Sequence, residues 1–262
     1  MVKYNGILDY LIIKNNGQSV ILLLDNHKLE EYCKHPAENV NSLLKDYLLN
    51  GKSTLLLEEL YGDVAFKKLF NTKHLNIYDK FYEEHKNNKN VIAIDIRILF
   101  SKKENLKMLF DDNICNINSI DEIKKLITSV KNKNNLFRNH YEFLKADYER
   151  LMKLTNETFI DREELNIMYP WKIVTNENSE IQWSTFYSGI LEMYTICQIL
   201  LSDNKYVFNY LGAAHCATIF KLLTTYYGYD IKKNNNLMLN VVNTISYKKF
   251  ESLGDMCSDF KI

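Results

Sequence analysis

Val20-Ile-Leu-Leu-Leu24 is followed directly by Asp25-Asn26-His27, so five consecutive apolar residues lead into polar ones. Three more apolar runs share this pattern: Thr54-Leu-Leu-Leu57, Val91-Ile-Ala-Ile94 and Tyr206-Val-Phe-Asn-Tyr-Leu211. Runs this apolar are typical of parallel strands that are buried on both faces. Helix-like segments separate them, and only two Pro and eight Gly argue against an all-β fold. We therefore predict an α/β fold, with a mainly parallel β-sheet flanked by helices.

The rest of the chain supplies helices and one weaker strand. Residues 37–49 carry apolar side chains at helical spacing between the first two runs, which indicates a βαβ unit. Residues 7–13 precede the turn signal Asn15-Asn16-Gly17 and are predicted to form a strand at the edge of the sheet. We predict a single α/β domain over residues 1–262, with a largely helical insertion or cap at 101–185.

Composition excludes several classes of protein. The 33 Lys and Arg balance the 33 Asp and Glu, so no net charge attracts nucleic acid and no nucleic-acid partner is expected. Five Cys, an odd number without C-x-x-C spacing, argue against a disulfide framework and favour a reducing, cytoplasmic setting. The chain begins without a signal-peptide pattern, and its longest apolar stretch is too short to span a bilayer. We expect no membrane partner.

Ionisable side chains follow all four predicted strands. Strand carboxyl ends meet at one edge of a parallel sheet, where ligands bind in the crevice just outside the strands. The candidate residues there are Asp25, Asn26, His27, Glu58, Glu59, Asp95, Arg97, Gly212 and His215, with Asn209 inside the last run as a further pocket residue. Strand alternation places only one of Glu58 and Glu59 in the pocket, and Glu58 is the preferred one.

The residue types at this edge leave several chemistries open. Asp25 and His27 are spaced i, i+2, so the pair can ligate Mn, Fe, Co or Zn, or act as a carboxylate-oriented general base. Arg97 can clamp an anion or form an ion pair with Asp95 or Glu58. His215 falls in the first turn of a predicted helix, where the helix dipole disfavours the imidazolium. Cys216 is interpreted as a buried small hydrophobe.

The order of these motifs resembles a known superfamily: proteins related to erythromycin esterase, the haem-associated ChaN-like proteins and the TraB/TIKI metal-dependent proteases. In that superfamily a first strand ends in G-E-x-H, a second in Glu, a further one in an acidic or Arg position, and a late one in G-x-x-H. Leu24-Asp25-Asn26-His27, Leu57-Glu58-Glu59, Ile94-Asp95-Ile96-Arg97 and Gly212-Ala-Ala-His215 are similar to these motifs. Leu24 and Asp25 replace the Gly and Glu of the first motif. The combination is also similar to proteins of large DNA viruses.

The resemblance implies a hydrolase, with or without a metal ion, that acts on a small-molecule or peptide substrate. His27 and His215 would be metal ligands or base and acid, Asp25 and Glu58 would orient or ligate, and Arg97 would stabilise negative charge. The metal ligands implied are Asp25, His27, Glu58 and His215. The altered first motif favours an alternative, a non-catalytic binding or host-modulating viral protein in the host cytoplasm. A third reading, haem or another cofactor on an exposed His or Tyr, has no motif behind it.

Overall fold

The computed structural model describes residues 3–7, 9–25, 38–61, 79–100, 103–111, 117–154, 160–166, 169–172, 177–234 and 258–259. Its strands are β1 (Lys3–Asn5), β2 (Asp9–Asn15), β3 (Gln18–Asp25), β4 (Glu38–Asn39), β5 (Ser53–Leu60), β6 (Val91–Asp95), β7 (Ile160–Asn166), β8 (Tyr169–Lys172), β9 (Tyr206–Gly212), β10 (Asp230–Asn234) and β11 (Ser258–Asp259). Its α-helices are α1 (Val40–Leu49), α2 (Asp79–His85), α3 (Lys103–Phe110), α4 (Asn118–Lys133), α5 (Asn135–Leu154), α6 (Glu177–Leu201) and α7 (Ala213–Tyr226). A 3₁₀ helix, Arg97–Phe100, follows β6.

The predicted apolar runs form the centre of a six-stranded sheet. Its strand order is β10-β2-β3-β9-β5-β6, while β11, β1 and β4 form a separate small sheet. β9 lies between β3 and β5 and is parallel to both. Where β6 joins, the backbone N–H of Leu55 donates to the carbonyl of Asn90 at 2.7 Å. The predicted α/β fold with a mainly parallel sheet is confirmed.

A two-residue turn joins β2 to β3. Asn16 and Gly17 have φ values of 45° and 84°, which is the backbone of a type I′ hairpin turn and explains the Asn-Gly sequence. β10 pairs with the outer side of β2 in antiparallel fashion, so the prediction that β2 is an edge strand is wrong. Asp230–Asn234 contains one apolar residue, Ile231, and therefore carries no apolar-run signal.

The two faces of the sheet are covered by different helices. On the first face, Leu23, Leu57 and Tyr210 pack in one buried cluster with Leu44 of α1 and Phe81 of α2. α7 contacts β3 and β9. Its buried residues do not belong to that cluster, so α7 covers the opposite face, called the second face below. Successive side chains of each central strand alternate between these two faces.

The chain divides into two compact units. The first comprises Met1–Glu59, His74–Ala93 and Ser202–Ile262, and the second comprises Leu60–Lys73 and Ile94–Leu201. In the second unit α6 contacts α4 and α5. The single-domain organisation stays a prediction.

The segment 101–185, predicted as mainly helical, contains α3, α4, α5 and the start of α6. It also contains an antiparallel hairpin, β7–β8, which the helical prediction missed. Only Asn134 separates α4 from α5, and its Oδ1 accepts a hydrogen bond from the N–H of Phe137 at 3.0 Å. Within the ranges described above, no helix is both long and apolar enough to cross a membrane.

Candidate functional site at the carboxyl ends of the strands

Glu58 is held by the backbone at the start of α7. The Glu58 side chain lies near the end of β5 and is buried, and its Oε2 accepts a hydrogen bond from the N–H of Gly212 at 2.6 Å. Gly212 is the N-cap residue of α7 and has no side chain of its own to cap the helix. A carboxylate is favoured there because the first N–H groups of a helix have no partner within the helix and carry a partial positive charge. Glu58 therefore acts as a cap supplied by the neighbouring strand.

His215 faces the second oxygen of the same carboxylate. It is the third residue of α7, and its Nε2 lies 3.7 Å from Oε1 of Glu58. The exposed fractions of the two side chains are 13% and 7%, so both are largely removed from water. The distance exceeds that of a hydrogen bond but is within reach of an ion pair when the imidazole is protonated. The dipole of α7 disfavours the imidazolium and Glu58 favours it, so the two act in opposite directions.

Asp25 lies on the other side of β9 from Glu58. It pairs in register with Gly212 and is 1% exposed. The Cys216 thiol lies at 3.6 Å from the carbonyl oxygens of Leu23 and Leu211. Burial first, and then the charges of Glu58 and Asp25, raise the pKa of this thiol well above its usual value. Cys216 is thus a neutral buried group, as the sequence predicts, and not a thiolate nucleophile.

Two predicted site residues lie outside the described residues. Asn26 and His27 follow β3 directly, and the description of the chain stops at Asp25 and resumes at Glu38. The pairing of Asp25 with His27 therefore stays a prediction.

The structure separates Glu58 from Glu59. Tyr210 of β9 is in register with Leu57, so Glu58 and Glu59 fall on opposite faces of the sheet. Glu59 lies near Tyr82, whose pKa is raised mainly by burial and next by the charge of Glu59. Glu58 is the carboxylate that meets His215.

Asp95 and Arg97 pair with each other in the second unit. Nε and Nη2 of Arg97 donate to the two carboxylate oxygens of Asp95, both at 2.7 Å. The Arg97 backbone N–H also donates to Asp95 at 3.2 Å, which holds the start of the 3₁₀ helix. Asp95 is 4% exposed, so this bidentate pair is largely buried. Of the roles open to Arg97, the structure shows the ion pair with Asp95.

Asn209 is fully buried in the central strand. It lies in register between Leu22 of β3 and Leu56 of β5, and its exposed fraction is 0%. Neither its Oδ1 nor its Nδ2 has a hydrogen-bond partner among the residues that the structure describes. Most buried polar groups in native proteins are hydrogen-bonded, so this side chain is an exception that calls for an explanation.

One carboxylate at this edge was not among the predicted residues. Asp9 begins β2, pairs in register with Leu24 next to Asp25, and is 5% exposed. Its Oδ1 accepts a hydrogen bond from the N–H of Tyr10 at 2.7 Å. The Asn16-Gly17 turn could have predicted the position of Asp9, because a two-residue hairpin loop fixes which residue of β2 lies beside the end of β3.

The described part of the chain contains no group of three His, Cys, Asp or Glu residues placed to hold a metal ion. Three of the four metal ligands implied by the resemblance are described, namely Asp25, Glu58 and His215, and they form no such group. One oxygen of Glu58 is already used by the Gly212 N–H. The described residues alone therefore do not fit a metal centre.

The geometry thus defines a site of one capped carboxylate and one imidazole, while Asp25 lies buried at the end of the neighbouring strand β3. Comparison of the chain with family models, with curated proteins and with solved structures found no significant match.

Proposed function

We propose that this protein is a hydrolase in which Glu58 and His215 form a carboxylate–imidazole pair at the carboxyl ends of the strands. One observation supports the proposal above all. The Glu58 carboxylate accepts the Gly212 N–H at 2.6 Å through one oxygen and lies 3.7 Å from the His215 Nε2 through the other. Catalytic hydrogen bonds are often long before substrate binds, so the 3.7 Å separation is compatible with this role.

The pair has the parts that general acid–base chemistry needs. Gly212 fixes the position of the carboxylate, and the carboxylate orients the imidazole and stabilises the imidazolium that forms when His215 takes a proton. Since Nε2 faces Glu58, Nδ1 is the nitrogen that would take the proton from an attacking water. The same nitrogen would then return the proton to the leaving group as the scissile bond breaks. The atoms balance as hydrolysis, with water added across the bond.

The resemblance to the erythromycin esterase, ChaN-like and TraB/TIKI superfamily supports the same reaction class and the same two residues. In the metal-assisted form that the resemblance implies, Asp25, His27, Glu58 and His215 would hold a divalent ion. A divalent ion would lower the pKa of its bound water and so supply a hydroxide near neutral pH. The described residues do not form such a centre, and the proposed steps use Glu58 and His215.

The test is a panel of chromogenic carboxylic esters, anilides and phosphoesters, assayed with and without added divalent metals. His215→Gln and Glu58→Gln are compared with the wild type. Gln at position 58 keeps an oxygen for the Gly212 N–H and removes the charge. We expect kcat/KM to fall about hundredfold or more in either variant, the usual size of a general acid–base contribution. Circular dichroism and thermal unfolding check that the variants fold.

His140→Gln is the matched control, because His140 is a half-buried histidine in α5 of the second unit and has no part in the proposed chemistry. It should hydrolyse the same substrate at the wild-type rate. Full turnover in a folded His215→Gln/Glu58→Gln double variant would rule out the proposed pair. Failure of the wild type to hydrolyse any class would instead favour the non-catalytic binding protein that Leu24 and Asp25 in the first motif suggest.

A further inference from the structure

Asn209 is a fully buried polar side chain with no hydrogen-bond partner among the described residues. Its neighbours in register, Leu22 and Leu56, are fully buried leucines. Its strand, β9, lies between β3, which carries Asp25, and β5, which carries Glu58. An amide left without partners in such surroundings destabilises a fold, because its hydrogen bonds to water are lost and not replaced. Leucine, of similar size, would be the more stable choice at this position.

The position of Asn209 connects it to the proposed site. Leu211 is two residues further along β9 and therefore on the same face as Asn209. Tyr210 is in register with Leu57, so Glu58 is level with Leu211 and points to that face too. This is the second face, which α7 and its residue His215 cover. Two residues of β-strand separate the level of Asn209 from the level of Glu58, roughly 7 Å.

An Asn carboxamide has a narrow range of complementary partners. Its oxygen accepts and its nitrogen donates, so full satisfaction needs a group that both donates and accepts hydrogen bonds. A secondary amide in a substrate is such a group, and an ester or a ketone is not, because each lacks the donor. A site built around an unsatisfied polar group discriminates strongly against the analogue that leaves that group unpaired.

We infer that Asn209 is a specificity-determining residue that binds an amide group of the substrate, about 7 Å inward from the bond that is hydrolysed. The inference rests on the proposed function, since it takes Glu58 and His215 as the reacting end of the site. The unpaired amide is then retained for substrate binding, at the expense of stability in the ligand-free protein.

Two para-nitrophenyl esters form the test. One is the ester of N-acetyl-β-alanine, and the other is the keto ester in which a methylene replaces the amide N–H. The wild type should prefer the amide-containing ester about tenfold in kcat/KM, the effect of one well-placed hydrogen bond. Asn209→Leu should bring that ratio close to one and should raise the melting temperature of the ligand-free protein.

Ser53→Ala is the matched control. The Ser53 hydroxyl is also buried and has no hydrogen-bond partner among the described residues, but it lies at the beginning of β5, away from Glu58. This variant should keep the wild-type preference between the two esters. The loss of discrimination in Asn209→Leu is then specific to the position and not to any buried polar group.

Calorimetric binding of the two free acids separates this inference from the proposed function. Amide-selective binding that Asn209→Leu abolishes, without turnover, would support the role of Asn209 and reject the hydrolase. Turnover that depends on His215 but shows no preference between the esters would support the hydrolase and reject the role of Asn209. Absence of both turnover and binding would reject the hydrolase and the role of Asn209. A lower melting temperature in Asn209→Leu would also overturn the inference, because the amide is then already satisfied by a resident water.

Discussion

The two ends of the six-stranded sheet are both polar, but their side chains make different kinds of contact. At the amino ends, neutral groups form hydrogen bonds with one another. Thr54 Oγ1 lies 2.8 Å from Ser202 Oγ, and Asn204 Nδ2 donates to Thr54 Oγ1 at 2.9 Å. Gln18 Nε2 donates to the Ser202 carbonyl at 2.8 Å. At the carboxyl ends, one ionisable pair lies beyond hydrogen-bonding distance, with Glu58 Oε1 3.7 Å from His215 Nε2.

The difference separates structural polar groups from candidate functional ones. The amino-end network consists of hydroxyls and amides at full hydrogen-bonding distance, which is the arrangement expected of groups that serve stability. The carboxyl end holds buried carboxylates, an imidazole and the Asn209 amide, which has no hydrogen-bond partner among the described residues, and buried ionisable or unsatisfied groups of this kind often occur at functional sites. Substitutions at the two ends should therefore affect different quantities.

The largest effect is expected from Gly212→Pro, which removes the N–H that holds Glu58. The φ of −52° at Gly212 suits proline, and Leu211 before it is in extended β9. We expect hydrolysis to fall about hundredfold, because Glu58 loses the donor that positions it. The measurement is kcat/KM on the best ester, with folding checked by circular dichroism.

Gly212→Ala is the control for that substitution, because alanine keeps the N–H. It should retain most of the activity. If alanine lowers activity as much as proline does, then crowding by the new side chain is the cause, and the hydrogen bond to Glu58 has no catalytic importance.

A smaller effect, on stability alone, is expected from Thr54→Val at the amino end. Valine has nearly the same shape but leaves Ser202 and Asn204 without the Thr54 oxygen. The free energy of unfolding should fall by about 1.5 kcal/mol, because two hydrogen bonds are lost but their partners Ser202 and Asn204 are only half-buried and can bond to water instead. Urea denaturation measures it, with the exposed Thr218→Val as a matched threonine control that should change little. A loss of kcat/KM without loss of stability would contradict the assignment of this end to structure.

The smallest effect concerns His140, whose pKa is shifted by burial, whereas His215 faces the carboxylate of Glu58. Burial lowers the pKa of His140 to about 4, and its Nδ1 has no hydrogen-bond partner in the described structure. Above the unfolded-state pKa of about 6.5 both states are neutral, and His140 has no effect on stability. As the pH falls below that value, the unfolded state binds the proton first, and stability is lost until the pH reaches about 4.

We expect His140 to lower the free energy of unfolding by about 1 kcal/mol at about pH 5.5 relative to neutral pH. Urea denaturation across this range, in the wild type and in His140→Gln, measures the difference. The variant should lack this part of the pH dependence. Equal pH profiles for the two proteins would show that the imidazole titrates normally.

Much of the fold could be predicted because the informative residues are consecutive. The run Val20–Leu24 is too apolar for a strand with one face in water, and Asn16-Gly17 has the residues that a two-residue hairpin turn requires. β10 and β7 escaped prediction because their sequences are largely polar, and β8 escaped it because it has only four residues, one of which is Pro170. Residues 131–135, rich in Lys and Asn, are typical of a solvated loop, yet the helix continues to Lys133 because lysine is a good helix former.

The sequence by itself determined that ionisable side chains follow each parallel strand, since apolar runs define the strands and the next residues must lie at their ends. Only the tertiary structure decided that Glu58 meets His215, that Arg97 pairs with Asp95 and that Asn209 lies between leucines with no partner in the described part of the chain. The physical reason is register. Which side of the pleat a residue faces is fixed by pairing with a strand far away in the chain, and Glu58 and Gly212 are 154 residues apart.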